Sequence, residues 1–123
     1  MKELTKAEEQ VMQILWMKEK CFVKEIITDM PQPKPAYNTV STIVRILENK
    51  GFVDHEVFGK SHRYYPLVGK DEYRSFSAEQ LMTGYFDASP SSMLSFFLKD
   101  KSLEAKDLDE MLKMIEEAKN KKK

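Results

Sequence analysis

The sequence predicts a mainly α fold of the α+β class, in which a winged helix-turn-helix domain is followed by a helical domain. Three helical patterns precede two short segments with a period of two, which is the element order of a winged helix-turn-helix. From Asp71 onward the pattern is almost entirely helical, and only Gly84 of the four glycines lies there. A soft boundary between Val68 and Asp71 therefore predicts two domains, residues 1–70 and 71–123.

The first two helices are predicted from a cap and from breakers. Thr5 and Glu8 have the spacing of a capping box, in which each side chain binds the backbone N–H of the other. One apolar stripe follows, formed by Ala7, Val11, Ile14 and Leu15. A second, short helix is predicted over Phe22–Met30. It cannot continue, because proline lacks an amide hydrogen and three prolines follow: Pro31, Pro33 and Pro35.

The third helix is predicted from Ala36 to Lys50, since Gly51 suits the left-handed position just past a helix end. Its apolar side is opposite to a small, polar face. From Met30 to Leu47 the chain contains no Asp or Glu, although acids are frequent elsewhere. The predicted exposed face of this helix is therefore free of acids and consists of Asn38, Ser41, Thr42, Arg45 and Asn49.

A β-hairpin is predicted next, because the period changes to two after Gly51. Its strands are Phe52–Phe58 and His62–Leu67, and the residues between them favour a turn. This turn carries Lys60, and Arg63 lies just beyond it, so the tip of the predicted wing is basic.

Three helices are predicted in the second domain. The first extends from Asp71 to about Asp87, and the second starts at Ser89, a good cap, with Pro90 in the first helical position. The last helix spans about Glu104 to Lys119. The apolar density of the second helix is too high for a helix that exposes one face to water, since it carries Met93, Leu94, Phe96, Phe97 and Leu98.

Composition excludes several classes of protein. The chain has 20 basic and 20 acidic residues, so a basic excess that would indicate nucleic-acid binding is missing. No apolar run approaches membrane-spanning length, and Met1–Gln10 lacks the apolar centre of a signal peptide, so we expect a cytoplasmic protein without membrane insertion. Cys21 is the single cysteine, which excludes an internal disulfide and a cysteine-based zinc cage.

Catalytic and metal sites are not expected. His55 and His62 are predicted on opposing strands of the wing, but a third ligand with suitable geometry is not evident. Phosphate-binding loops and acid–base pairs at recognised spacing are missing as well. The sequence therefore predicts neither an enzyme, nor a metal site, nor a cofactor.

The acid-free polar face of the third helix favours DNA as the partner. A recognition helix enters the major groove. There Asn can pair with adenine, Arg can bind guanine or phosphate, and Ser or Thr can bind bases or phosphate. An acid on that face would be repelled by phosphate. Two alternatives stay open on pattern alone: a winged helix that binds another protein, and a regulator whose helical domain holds a small ligand.

Several segments resemble the penicillinase/methicillin-resistance repressor family (BlaI/MecI/CopY): Leu4–Trp16, Tyr37–His55, Arg63–Leu67 and Met93–Leu98 with Leu103. The resemblance covers nearly the whole chain in the family's order. It implies a bacterial transcriptional repressor that binds a palindromic operator in double-stranded DNA as a homodimer. Carried over by position, the DNA-binding residues are Tyr37, Asn38, Thr39, Ser41, Thr42, Arg45, Lys60, Ser61 and Arg63.

The resemblance also implies that the C-terminal helices exchange across a two-fold axis, which would bury their apolar stripe. The alternative is that this stripe packs against its own winged helix. The residues assigned to dimerisation are Met82, Phe86, Met93, Leu94, Phe96, Phe97, Leu98, Leu108, Met111, Leu112 and Ile115.

Two departures from the family concern induction. Antibiotic-responsive members are cleaved at an Asn-Phe bond, and the matching pair here is Ser95 and Phe96, which lacks the asparagine. A membrane sensor-protease is therefore a candidate partner only if the Ser95-Phe96 bond can be cleaved in place of the family's Asn-Phe bond. Copper-responsive members carry paired cysteines near the C-terminus, and no cysteine follows Cys21, which excludes a thiolate copper sensor. The inducing signal, the operator and the regulated genes stay open.

Overall fold

The computed structural model describes residues 1–100 and 103–121 and confirms the predicted fold class. It divides into two compact units, Met1–Ala78 and Glu79–Lys123. The described residues form, in chain order, α1 (Lys6–Lys18), β1 (Cys21–Phe22), α2 (Val23–Asp29), α3 (Tyr37–Asn49), β2 (Val53–Phe58), β3 (Ser61–Pro66), α4 (Lys70–Tyr85), α5 (Pro90–Asp100) and α6 (Ala105–Lys121).

The predicted capping box opens α1. Thr5 Oγ1 accepts the Glu8 amide at 3.2 Å, and Glu8 Oε1 accepts the Thr5 amide at 2.8 Å. Along the predicted stripe, Val11 and Leu15 are fully buried, whereas Ala7 is exposed. Ala7 lies in the first turn, before the helix reaches the core that Val11 and Leu15 fill.

The sheet has three strands, one more than the sequence predicts. The extra strand β1 pairs antiparallel with β3, Cys21 opposite Tyr64, and the strand order is β1-β3-β2. The predicted start of the second helix at Phe22 is wrong by one residue, because Phe22 belongs to β1 and α2 begins at Val23. The Phe22 amide donates instead to Glu25 Oε1 at 2.8 Å.

Helix α3 occupies almost the predicted range, with Ala36 and Lys50 as its caps. It ends in a Schellman turn, in which Gly51 adopts φ +82°. The Gly51 amide donates to Glu48 O at 3.0 Å, and the Phe52 amide donates to Leu47 O at 2.9 Å. This turn reverses the chain and sends β2 back along α3.

The core of the first unit lies between α1, α2, α3 and the sheet. The largest fully buried side chains include Phe52, Met12, Leu15, Ile26 and Leu47. The start of α4 joins this core through Tyr73, whose hydroxyl accepts the Leu4 amide at 2.9 Å. The sequence places its domain boundary before α4, whereas the two compact units divide inside this helix.

The second unit consists of helices with little burial. Ser89 caps α5 as predicted, since its Oγ accepts the Ser92 amide at 3.1 Å and Pro90 is the first helical residue. Phe96 packs at 5.5 Å from Phe86, centroid to centroid. Among the described residues of α5 and α6, none is buried. Each helix in residues 1–100 and 103–121 is too short or too polar to cross a bilayer.

Candidate nucleic-acid interface

One face of α3 is open to solvent and carries several of the predicted DNA-binding residues. Asn38, Thr39, Thr42 and Arg45 are exposed, and Ser41 is half-buried. The opposite face of the helix is buried in the core and consists of Val40, Val44 and Leu47. The helical period thus separates the packing residues from the polar ones, as the sequence predicts.

The N-terminus of α3 is open as well. Ala36 is the N-cap and makes no side-chain hydrogen bond with the described residues, since its methyl group cannot accept one. The amides of Thr39 and Val40 donate to Ala36 O at 3.1 and 3.2 Å, but those of Tyr37 and Asn38 precede the first helical hydrogen bond. Tyr37 is 51% exposed beside them. Free amides and the helix dipole make such an end favourable for a phosphate oxygen.

Side chains on this face are ordered by bonds to their own helix. Thr42 Oγ1 donates to Asn38 O at 2.8 Å, and Arg45 Nη2 donates to Ser41 Oγ at 3.2 Å. The Thr42 oxygen therefore keeps its lone pairs for a donor, and the Ser41 hydroxyl keeps its hydrogen for an acceptor. Both groups are oriented before a ligand arrives, which lowers the entropy cost of binding.

The wing carries the other predicted contacts, and they are not equivalent. Lys60 lies exposed at the turn, and Ser61 lies exposed at the start of β3. Arg63 is held: its Nη2 donates to Glu56 Oε2 at 3.2 Å, and its guanidinium lies 4.7 Å from the ring centroid of Phe58. In the described part of the chain, Arg63 Nε is buried without a hydrogen-bond partner.

Glu56 pairs with Arg63 and would compete with DNA phosphates for its positive charge. It also binds Lys20, and hydrogen bonds from Lys20 and Arg63 lower the pKa of its carboxyl. It therefore stays ionised at neutral pH and offsets positive charge at the base of the wing. The sequence does not reveal this pairing, because Lys20 lies far away along the chain.

The helix and the wing share one groove. Tyr37, Ser41 and Arg45 line it from α3, and Lys60 and His55 line it from the hairpin. Residues that the sequence assigns to two separate elements are thus brought together around one concave surface. Polar and basic side chains form much of its lining, as expected for a groove that meets phosphates and base edges.

The sequence predicted only part of a group of titratable side chains at this groove. His55 and His62 stack almost parallel, 4.1 Å apart and 9° between planes. The sequence offers no evident third partner, but the structure places Glu48 Oε1 2.9 Å from His55 Nδ1. Asp54 Oδ1 lies 4.0 Å from the same nitrogen. The chain reversal at Gly51 brings these groups together, and a helix end followed by a strand could have signalled it.

The residues assigned to dimerisation lie on the second unit, and none of them is buried there. The half-buried members are Met82, Phe86, Met93, Phe97 and Met111, and the exposed members are Leu94, Phe96, Leu98, Leu108, Leu112 and Ile115. The candidate cleavage pair lies inside the hydrogen-bonded helix α5, where Ser95 is half-buried and Phe96 is exposed.

Comparisons with known proteins agree over most of the chain. Residues 4–117 match the protein family described as Penicillinase repressor. The chain is 24% identical over 122 residues to the penicillinase repressor of Bacillus licheniformis. This alignment covers 98% of this chain and 95% of that relative. It is 25% identical over 114 residues to the methicillin resistance regulatory protein MecI of Staphylococcus aureus (strain N315). That alignment covers 92% of this chain and 93% of the relative. The same protein of Staphylococcus epidermidis gives the same values, 25% over 114 residues.

Proposed function

Because the chain belongs to the penicillinase repressor family, we propose that it represses transcription by binding an operator in double-stranded DNA. Its curated relatives are transcriptional repressors, not enzymes, and neither is this chain an enzyme. The observation that carries the proposal is the open polar face of α3, which has no acid from Tyr37 to Leu47 and shares one groove with the basic turn of the wing.

Contacts to bases are assigned to the polar side chains of α3. Asn38 and Thr39 lie in its first turn, the part of a recognition helix that meets base edges. Ser41 and Thr42 follow on the same face, and an Asn side chain can pair with adenine through two hydrogen bonds. We assign the discrimination between DNA sequences to these residues.

Contacts to phosphate are assigned to the rim of the groove. The free amides at the start of α3 and the exposed Tyr37 can bind one phosphate, and Arg45 can bind another from the middle of the helix. Lys60 and Ser61 at the wing turn would meet the backbone on the other side of the groove. Phosphate contacts fix position and supply affinity without reading sequence.

A homodimer on a palindromic operator completes the proposal. The apolar residues of the second unit are unburied in one chain, and their contact with a second copy would remove them from water. A two-fold dimer presents two recognition helices related by symmetry, and a palindrome has the same symmetry. Since the net charge is zero, we expect weak non-specific binding and a strong dependence on two half-sites engaged together.

The proposal is tested by fluorescence anisotropy on the full chain with duplexes from its own promoter region and with scrambled duplexes. We expect tighter binding to one promoter segment, with log K falling by about 0.9 per neutralised phosphate for each unit of log salt concentration. Equal affinity for promoter and scrambled duplexes would refute a sequence-specific repressor. A chain with no DNA affinity at any salt concentration would instead favour a winged helix that binds protein.

Two substitutions separate base reading from phosphate binding. Asn38→Ala is expected to cost about 1–3 kcal/mol on the operator and almost nothing on the scrambled duplex. Lys60→Ala is expected to weaken both complexes alike and to reduce the salt slope by about 1. Asn120→Ala on α6 is the matched control and should leave both affinities unchanged. Equal losses for Asn38→Ala on both duplexes would remove this residue from the base-reading set.

For induction, the candidate step is cleavage between Ser95 and Phe96 by a membrane sensor-protease. A protease needs an extended substrate, so α5 would have to unwind around this bond. Mass spectrometry of the repressor recovered from induced cells would detect a fragment that ends at Ser95. Derepression with an intact chain would exclude this step.

A further inference from the structure

Three side chains with metal-ligating atoms converge where α3 meets β2. Glu48 lies in the last turn of α3, and Asp54 and His55 are consecutive residues of β2. One carboxylate oxygen from each acid and one ring nitrogen of His55 all lie within 4.8 Å of one another. We propose that these three residues bind a divalent transition-metal ion of the Zn²⁺ type, and that the bound ion strengthens DNA binding.

The distances suit a small ion. Zn²⁺ binds imidazole nitrogen and carboxylate oxygen at about 2.0–2.2 Å, so neighbouring ligands of a tetrahedral ion lie about 3.3 Å apart. The observed separations from His55 Nδ1 are 2.9 Å to Glu48 and 4.0 Å to Asp54, one slightly short and one slightly long. Small rotations of the two carboxylates would equalise them. Asp54 Oδ1 accepts the His55 amide at 2.8 Å, so turning this 52% exposed side chain toward the ion would exchange that hydrogen bond for a metal bond.

The backbone fixes the ligands from two directions. The Schellman turn at Gly51 joins the end of α3 to β2, so Glu48 and His55 are held on either side of one short reversal. His62 lies flat against the His55 ring, 4.1 Å away and nearly parallel, which restricts the orientation of that ring. With the rings parallel, the in-plane nitrogens of His62 do not converge on the same point. We therefore assign His62 to positioning, and water to the remaining coordination positions.

Local charge supplies a reason for an ion here. Glu48 lines the groove assigned to DNA, and Asp54 is next to it, so two carboxylates lie close to where phosphates would approach. Arg45 and Lys60 line the same groove as cations, but both hydrogen bonds that Arg45 makes in the described structure go to Ser41. A divalent cation would neutralise both acids and join the recognition helix to the wing. The part of the inference that concerns DNA rests on the proposed function, whereas the metal site does not.

Metal binding is measured first, on the DNA-free full chain with any purification tag removed. Titration with ZnCl₂ by calorimetry, and with CoCl₂ by visible absorption, should show one site per chain. Glu48→Gln and Asp54→Asn should each weaken Zn²⁺ binding at least tenfold, because each removes one anionic ligand. Glu3→Gln changes an exposed acid outside the site and is the matched control. Equal Zn²⁺ affinity in all four proteins, or none at micromolar concentrations, would overturn the site.

DNA affinity with and without Zn²⁺ is the second measurement. The ion is expected to tighten binding about threefold or more on operator and scrambled duplexes, since it removes local negative charge. Glu48→Gln should bind DNA more tightly than the parent without Zn²⁺ and should not respond to a Zn²⁺ concentration that just saturates the parent. Circular dichroism melting confirms that each variant is folded. Zn²⁺ bound at this site with unchanged DNA affinity would overturn the regulatory part, whereas no DNA binding under any condition would refute the proposed function and leave the metal site to the first measurement.

Discussion

At the scale of single residues, Glu8 fixes the start of α1 against the end of α3. Its Oε1 accepts the Thr5 amide and the Lys50 ammonium, both at 2.8 Å, and the residue is only 4% exposed. Burial raises the pKa of Glu8, but the hydrogen bonds from Lys50 and Thr5 outweigh it, so the pKa lies below its ordinary value of 4.5. The capping box was readable from local spacing, whereas the partner 42 positions away was not.

Lys50→Met is expected to destabilise the first unit by about 1–3 kcal/mol at pH 7, because it leaves a buried carboxylate without its cation. Since the folded pKa of Glu8 is lowered, its contribution is present above the unfolded pKa and is lost as pH falls through the folded pKa. The difference between variant and parent should therefore be largest near neutral pH and should shrink below about pH 4. Urea unfolding at several pH values measures it.

The control is Lys2→Met, which removes the same charge from an exposed position and should change the free energy of unfolding by about 0.5 kcal/mol or less. If Lys50→Met matched Lys2→Met at pH 7, the ion pair would contribute no net stability. A variant effect that grew as pH fell would assign the coupling to another group.

At the scale of elements, α3 and the wing differ in how much of them a sequence can predict. The ends of α3 follow from local chemistry, because Pro35 and Gly51 stop a helix on either side. Strand β1 was missed because two residues have no period, and its partner Tyr64 lies far along the chain. The exposed face of α3 could be predicted in the same way, from its period. The pairing of Arg63 with Glu56 could not, because it depends on side-chain geometry across the hairpin.

Because Glu56 pairs with Arg63, the wing presents less positive charge than its basic residues alone would suggest. Glu56→Gln is expected to raise affinity for operator and scrambled duplexes by about twofold to fivefold at low salt, because Lys20 and Arg63 lose an acidic partner. The slope of log K against log salt should steepen by up to about 1. Anisotropy titrations over a salt series measure both quantities. Glu79→Gln removes an equal charge from the second unit as a control. The same gain in both variants would mean that net charge, not release of the wing cations, governs affinity.

At the scale of the whole molecule, the even balance of charge conceals an uneven distribution. The chain carries 20 acids, but none lies between Met30 and Leu47, the stretch that contains Asn38, Ser41, Thr42 and Arg45 of the exposed face of α3. The apolar residues are uneven too. The first unit buries its own core, whereas α5 and α6 bury no residue in the described chain. A unit as short as Glu79–Lys123 has little surface to bury by itself, so its stability should depend on a second copy.

Leu112→Glu tests that dependence, because Leu112 is 60% exposed on α6 and is assigned to the dimer interface. A charge there would have to be buried against apolar side chains, which costs several kcal/mol and should convert the dimer to monomers at micromolar concentrations. Leu67→Glu places the same charge at a leucine of the first unit that is 55% exposed, and this variant should stay dimeric. Sedimentation velocity separates the two outcomes. A parent chain that sediments as a monomer would refute the homodimer.

The Leu112→Glu variant also connects assembly to recognition, by comparison with the parent chain. If two half-sites act together, the monomeric Leu112→Glu chain should bind a palindromic operator at least a hundredfold more weakly than the parent. On a duplex with one half-site, the two proteins should bind almost equally, because each contact surface is intact. Anisotropy on the two duplexes gives this comparison directly. A monomeric variant that kept full affinity for the palindrome would mean that one winged helix supplies enough binding energy alone, and that the dimer serves a purpose other than DNA affinity.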